Sequence, residues 1–148
     1  MHIQIDQSGR IESLTQNTVL SFANKISYSI FIHRREKREC LRVLNQRYSK
    51  LSNWPLKIFA ACLFLLIQNF IDNIKFIVID VEYDGRGGDI KGMLLRHIRK
   101  IKPVFSKDSI VFQSIGKKSK AHLIAYGVYK KQINPNKIIK AGDILLLL

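Results

Sequence analysis

Phe76-Ile77-Val78-Ile79 is the segment that most constrains the fold. The run is β-branched or aromatic throughout and bounded by polar residues, so it reads as a buried strand. Acids follow at once. Asp80, Glu82, Asp84 and Asp89 fall within ten consecutive positions of a chain with 11 Asp and Glu in all and a net charge of +14. Side chains alternate between the faces of a strand, so Val78, Asp80 and Glu82 share one face. Carboxylates held side by side repel each other, and burying them is costly unless a cation or hydrogen-bond donors compensate. Two readings stand at this point: the acids hold a metal ion against phosphate, or they lie solvated at a sheet edge and pair with Lys and Arg.

The rest of the chain supplies a context for that strand. Ile3 to Asp6 alternates and reads as a first strand ending at Asp6, with Gln7-Ser8-Gly9-Arg10 as a turn. Thr18–Phe22 and Tyr28–Ile32, separated by Asn24-Lys25, suit a hairpin. From Arg34 to Lys50 the spacing of Cys40, Leu41, Leu44 and Tyr48 is helical, and Arg34, Arg35, Arg38 and Arg42 face outward. Pro55 fits the first turn of a second helix, apolar on most sides and hence buried, that runs to about Ile71. The acid-tipped strand spans Lys75 to Tyr83. The Gly85-Arg86-Gly87-Gly88 loop follows, and Asp89 is the expected N-cap of a helix whose stripe is Ile90, Met93, Leu94, His97, Ile98 and Ile101. Pro103 ends it. Ser109–Ile115 is a short strand, and a last helix runs through Lys130. Asn134-Pro135-Asn136 is a turn, and Asp143–Leu148 a closing helical turn. This order predicts an α/β fold: a five-stranded mixed sheet, three antiparallel strands then two parallel, with helices on both faces of one domain spanning 1–148.

Composition narrows the classes. The Lys and Arg excess favours a polyanionic partner, with nucleic acid ahead of a membrane surface. Cys40 and Cys62 form no CxxC pair and read as reduced, buried thiols of a cytoplasmic protein. The N-terminal residues lack a signal-peptide pattern, and the apolar run Ile58–Ile67 is shorter than the roughly 20 residues that span a bilayer, so no membrane role is expected.

The element order, together with Asp6 before Ser8-Gly9, Asp80 on the fourth strand and His122 at the start of the last helix, resembles the ribonuclease H-like superfamily. That superfamily includes Holliday-junction resolvases of the RuvC type and the Piwi domain of Argonautes. The resemblance implies an Asp-Asp-His metal site built from Asp6, Asp80 and His122, with Glu82 as an alternative to Asp80. It also implies Mg²⁺ or Mn²⁺ as the ion, hydrolysis of DNA or RNA phosphodiesters by a two-metal route, and products with 5′-phosphate and 3′-hydroxyl ends. Resolvase-like members often pair, which leaves room for a homodimer with no surface assigned to it. The glutamate usual on the helix between the third and fourth strands has no clear match; Glu36 and Glu39 fit only if the first helix packs across the site. That gap keeps a non-catalytic nucleic-acid-binding or scaffolding module of the same fold as the alternative.

Each residue also has a plain structural reading. Asp6 suits an Asx-type turn, His122 an ordinary helix-start histidine, and His97 a satisfied, partly buried one. Lys117-Lys118-Ser119-Lys120 sits where a helix N-terminus and lysines attract phosphate, or is simply a solvated charge run. Arg86 lies in a glycine-rich loop expected near the site, which is neither a Walker loop nor a dinucleotide fingerprint.

Overall fold

The computed structural model describes residues 1–48 and 53–148. The chain order is β1 (His2–Ser8), β2 (Thr18–Ala23), β3 (Ser27–Ile32), α1 (Arg34–Arg47), α2 (Trp54–Ile67), a 3₁₀ extension of α2 (Gln68–Asn73), β4 (Phe76–Ile79), α3 (Gly87–Arg99), β5 (Ile110–Phe112), α4 (Lys120–Tyr129), β6 (Lys137–Ile139) and α5 (Ala141–Leu145). The strands form one mixed sheet of six in the order β5-β4-β1-β2-β3-β6. β1, β2 and β3 pair antiparallel, whereas β1–β4, β4–β5 and β3–β6 are parallel.

Alternation sorts the two faces. Ile3 and Ile5 of β1, Leu20 and Phe22 of β2 and Ile77 and Ile79 of β4 join one large core with α2 and α3. α2 is buried along nearly its whole length, from Leu56 and Ile58 through Ile67. With its 3₁₀ extension it spans 20 residues (Trp54–Asn73), long and apolar enough by composition to cross a membrane, yet it is spent on the core, packing against α3, α5, β2 and β3. Length was therefore a poor discriminator for this segment; burial decides its role. Among the described residues the opposite face is covered by α4, through Val19, Ala125 and Val128 with Phe31, Ile124 and Tyr129 packed around them. Ser21 sits beneath the start of α4 and donates to the Ala121 carbonyl at 2.6 Å.

Several boundaries differ from expectation. The sheet has six strands rather than five. Lys137-Ile138-Ile139 is too short for a periodic signal, and it is recruited to the β3 edge because Asn136 exchanges hydrogen bonds with Ser29, whose N–H donates to Asn136 Oδ1 at 2.8 Å. β1 runs on through Gln7 and Ser8, which pair with Leu20 and Val19, and the turn begins at Gly9 instead. Gly9 has φ +79°, and a Cβ there would lie 2.0 Å from the Asn17 carbonyl oxygen, so the turn requires glycine. β4 stops at Ile79; only the Asp80 N–H stays in the ladder, donating to the Ile5 carbonyl at 3.0 Å. β5 likewise spans Ile110–Phe112 rather than Ser109–Ile115. Gly87 and Gly88 belong to α3, whose N-cap is Arg86; Asp89 lies in the first turn, where its charge favours the helix start. α1 ends at Arg47, because Tyr48 is an extended C-cap whose N–H donates to the Leu44 carbonyl, so Tyr48 falls outside the helix; the expected end at Lys50 lies outside the described residues.

Candidate metal centre

The central pair of strands brings the acids together. The β1–β4 register sets Ile5 beside Ile79, so the next rung places Asp6 beside Asp80, both on the α4 face. Asp80 is pinned from the other side as well, because the Ile115 N–H donates to its Oδ1 at 3.0 Å. Glu82 follows two residues on, and Arg10 Nη2 donates to its backbone carbonyl at 2.9 Å. Asp6, Asp80 and Glu82 each offer a carboxylate oxygen, and these oxygens lie within 4.8 Å of one another. Three carboxylates this close could hold a metal ion.

His122 reaches the cluster through Asp6. Ser119 caps α4 by accepting from the His122 N–H at 3.1 Å, which fixes the first turn and aims the ring at the sheet. His122 Nδ1 lies 2.6 Å from Asp6 Oδ2. The ring also stacks on Tyr126, with centroids 6.1 Å apart. With Asp6 ionised, Nδ1 donates, and His122 orients the carboxylate while Nε2 stays free.

Burial dominates the electrostatics. Asp6 is 3% exposed. Removal from water pushes its carboxyl up; the Gln7 backbone N–H and His122 pull it back, and Asp80 pushes the same way as burial. Glu82 is raised to about 7, first by burial and then by the charges of Asp80 and Asp6, with Arg10 opposing. Between about pH 4.5 and 7 the folded chain therefore keeps a proton on Glu82 that the unfolded chain has released. Stability falls as pH rises through this window and levels off above it, because the native state binds more protons. Allowing for its partial exposure, the expected loss is about 2 kcal/mol. Urea midpoints at pH 5 and pH 8 test this: Glu82→Gln should flatten most of the difference seen in the parent. An unchanged slope would show that Glu82 ionises normally.

The other expected site residues divide. Lys117, Lys118 and Lys120 are exposed beside the half-buried cap Ser119, at the α4 start next to His122. Arg86 instead turns to its own helix and to α2: its Nε donates to Asp89 Oδ2 at 2.9 Å and its Nη2 to Asn53 Oδ1 at 3.2 Å. Glu36 and Glu39 are outside the cluster, because Glu36 Oε1 accepts from the Ala141 N–H at 3.0 Å and Glu39 pairs with Arg42. His97 is partly buried as expected, but its Nδ1 has no partner among the described residues. Cys40 and Cys62 are free and buried.

Sequence reasoning missed the support behind the acids. Arg10 pairs with Glu12 at 2.5 Å and lies 5.1 Å from the centre of the Tyr83 ring, and the Tyr83 hydroxyl donates to Glu12 Oε2 at 2.9 Å. Lys37, fully buried in α1, donates from Nζ to the carbonyls of Arg10 at 3.0 Å and Ser13 at 2.6 Å and to Thr18 Oγ1 at 3.0 Å. The β1–β2 loop is thus clamped from below by Lys37 and locked to the Glu82 segment by Arg10. Alternation of Arg10 and Glu12 after Gly9 is the only local trace of this arrangement.

Comparison with protein-family models, with curated proteins and with solved structures finds no match to this chain.

Proposed function

We propose that the protein is a divalent-metal-dependent nuclease of the ribonuclease H-like fold, hydrolysing phosphodiester bonds of DNA or RNA. The observation that carries this reading is the convergence of Asp6, Asp80 and Glu82 within 4.8 Å, in a chain of net charge +14 with few acids to spend. One buried and two half-buried carboxylates this close are costly without a cation, and hard oxygen donors suit Mg²⁺ or Mn²⁺. The β5-β4-β1-β2-β3 order, with Asp6 on β1, Asp80 just past the end of the adjacent β4 and α4 across them, supports the fold assignment; β6 is then an addition at the far edge. Glu82 supplies the third carboxylate that the α1 glutamates do not. When bound, the metal would polarise the phosphoryl oxygen and activate water. Asp6, Asp80 and Glu82 would hold it, His122 would orient Asp6, and the lysines at the start of α4 would draw in the phosphate backbone.

The alternative is a non-catalytic nucleic-acid-binding module of the same fold, favoured by the absence of a helix glutamate from the cluster. Labelled DNA, RNA, hybrid and four-way-junction substrates incubated with Mg²⁺ or Mn²⁺ separate the two. The nuclease reading expects metal-dependent products with 5′-phosphate and 3′-hydroxyl ends. Salt-sensitive binding with no cutting under any condition would move the assignment to the binding module.

A further inference from the structure

The sheet face that carries Asp6 and Asp80 continues past them with no described helix above it. β1 places His2, Gln4 and Asp6 on this face, and β4 sets Phe76, Val78 and Asp80 beside them, rung by rung. α4 starts over Ser21, which pairs with Asp6, and runs towards Val19 and Gly9, so it leaves the earlier rungs uncovered. Those rungs floor a groove of about 490 Å³. Its base is Val78 and Ala23; the His2 and Phe76 rings, with centroids 5.5 Å apart, close its far end. Gln4, Asn24 and Lys120 supply its polar rim, and no described carboxylate lines it. The Asn24 amide N–H₂ donates to the His2 carbonyl, leaving its Oδ1 as an acceptor, while the Gln4 amide has no hydrogen bond among the described residues.

These features match an unpaired nucleobase better than a duplex. A base inside a duplex already has both faces stacked, whereas an unpaired base can lay a face on an exposed ring and present its edges to amides. Two strand residues span about 6.6 Å, so the His2–Phe76 rung lies about 13 Å along the sheet from the acids, within a short flank of a strand bound there. Lys120 stands between the two regions, at the start of α4. We propose that this groove binds the single-stranded flank of a nucleic-acid substrate, with Phe76 and His2 as a stacking platform, Gln4 and Asn24 at base edges and Lys120 on the phosphate. This inference deepens the nuclease reading and rests on it for the placement of a strand at the acids.

The test is fluorescence anisotropy with one labelled oligonucleotide, single-stranded and as a blunt duplex, in Ca²⁺, with parent, His2→Ala and Phe76→Leu proteins. The groove predicts tighter binding of the single strand. It also predicts a loss of roughly tenfold in that affinity for Phe76→Leu, with duplex affinity unchanged. His2→Ala, at an exposed side chain, carries the same test with a smaller loss if Phe76→Leu lowers the thermal midpoint. Equal binding of both forms, or equal losses on both, overturns the proposal. A protein that cuts nothing with Mg²⁺ yet loses single-strand binding through Phe76 keeps the groove and removes the nuclease. Cutting of duplex and single strand alike, indifferent to Phe76→Leu, does the reverse.

Discussion

Asp80→Asn should leave a folded protein whose metal-dependent cleavage is slower by roughly a thousandfold. The fold survives because the asparagine Oδ1 can still accept the Ile115 N–H that Asp80 accepts now at 3.0 Å. The substitution also removes one of three clustered carboxylates. The metal-free variant should therefore melt at or above the parent temperature, and Glu82 should titrate closer to the ordinary carboxylate range, since Asp80 is the largest charge pushing it up. Metal affinity should move the other way, weakening by about a hundredfold with the loss of an anionic ligand. Three readouts thus shift in a linked pattern: cleavage and metal affinity fall while metal-free stability holds or rises. Parent-like cleavage by a folded variant would remove Asp80 from the chemistry. A lower melting temperature with cleavage intact would make its carboxylate purely structural.

Lys37→Met is expected to have the largest effect on stability. Methionine fills the path of the lysine stem but cannot donate, so the Arg10 and Ser13 carbonyls and Thr18 Oγ1 each lose a partner. The Arg10 carbonyl keeps the Ser13 N–H and the Thr18 hydroxyl, and the Ser13 carbonyl keeps the Gln16 N–H. What is lost is three charge-assisted hydrogen bonds rather than all pairing, and a total of about 3 kcal/mol is expected. For a chain of this size that lowers the melting temperature by roughly 6–12 °C. Burial lowers the Lys37 ammonium to about 8, with Glu12 opposing, so the group still carries its charge at neutral pH and donates to those three oxygens. The damage should reach the site, because the clamped loop carries Arg10, which holds the Glu82 carbonyl. Metal affinity should fall even below the melting transition. Calorimetry and metal titration on the same sample check both parts; a melting temperature within about 2 °C of the parent would show that water replaces the ammonium at little cost.

The contrast between these residues shows what was legible in the sequence. Asp6, Asp80, Glu82 and His122 could be singled out because each stands at or near a strand end or helix start that periodicity marks, and their convergence needs only the β1–β4 register and the α4 cap. Lys37 gave no such signal. It lies in a basic stretch of α1, where a lysine reads as solvated, and its burial arises from a loop more than 18 residues earlier in the chain. Arg10, Glu12 and Tyr83 are of the same kind, joined by contacts across 71 and 72 positions. β6 was hidden for a different reason: its three residues acquire strand geometry from the Ser29–Asn136 exchange at the sheet edge, not from their own pattern. Gly87 and Gly88 read as loop from composition, yet they open α3. Once they join α3, the Arg86 side chain turns to Asp89 and Asn53.

The proposed nuclease depends on Asp6, Asp80 and Glu82 holding a divalent cation. Its most direct test is the anomalous difference density of crystals soaked in Mn²⁺. A peak is expected between the three carboxylates, about 2.2 Å from at least one oxygen of each. Carboxylates still clustered at millimolar Mn²⁺, with no peak among them, would contradict it.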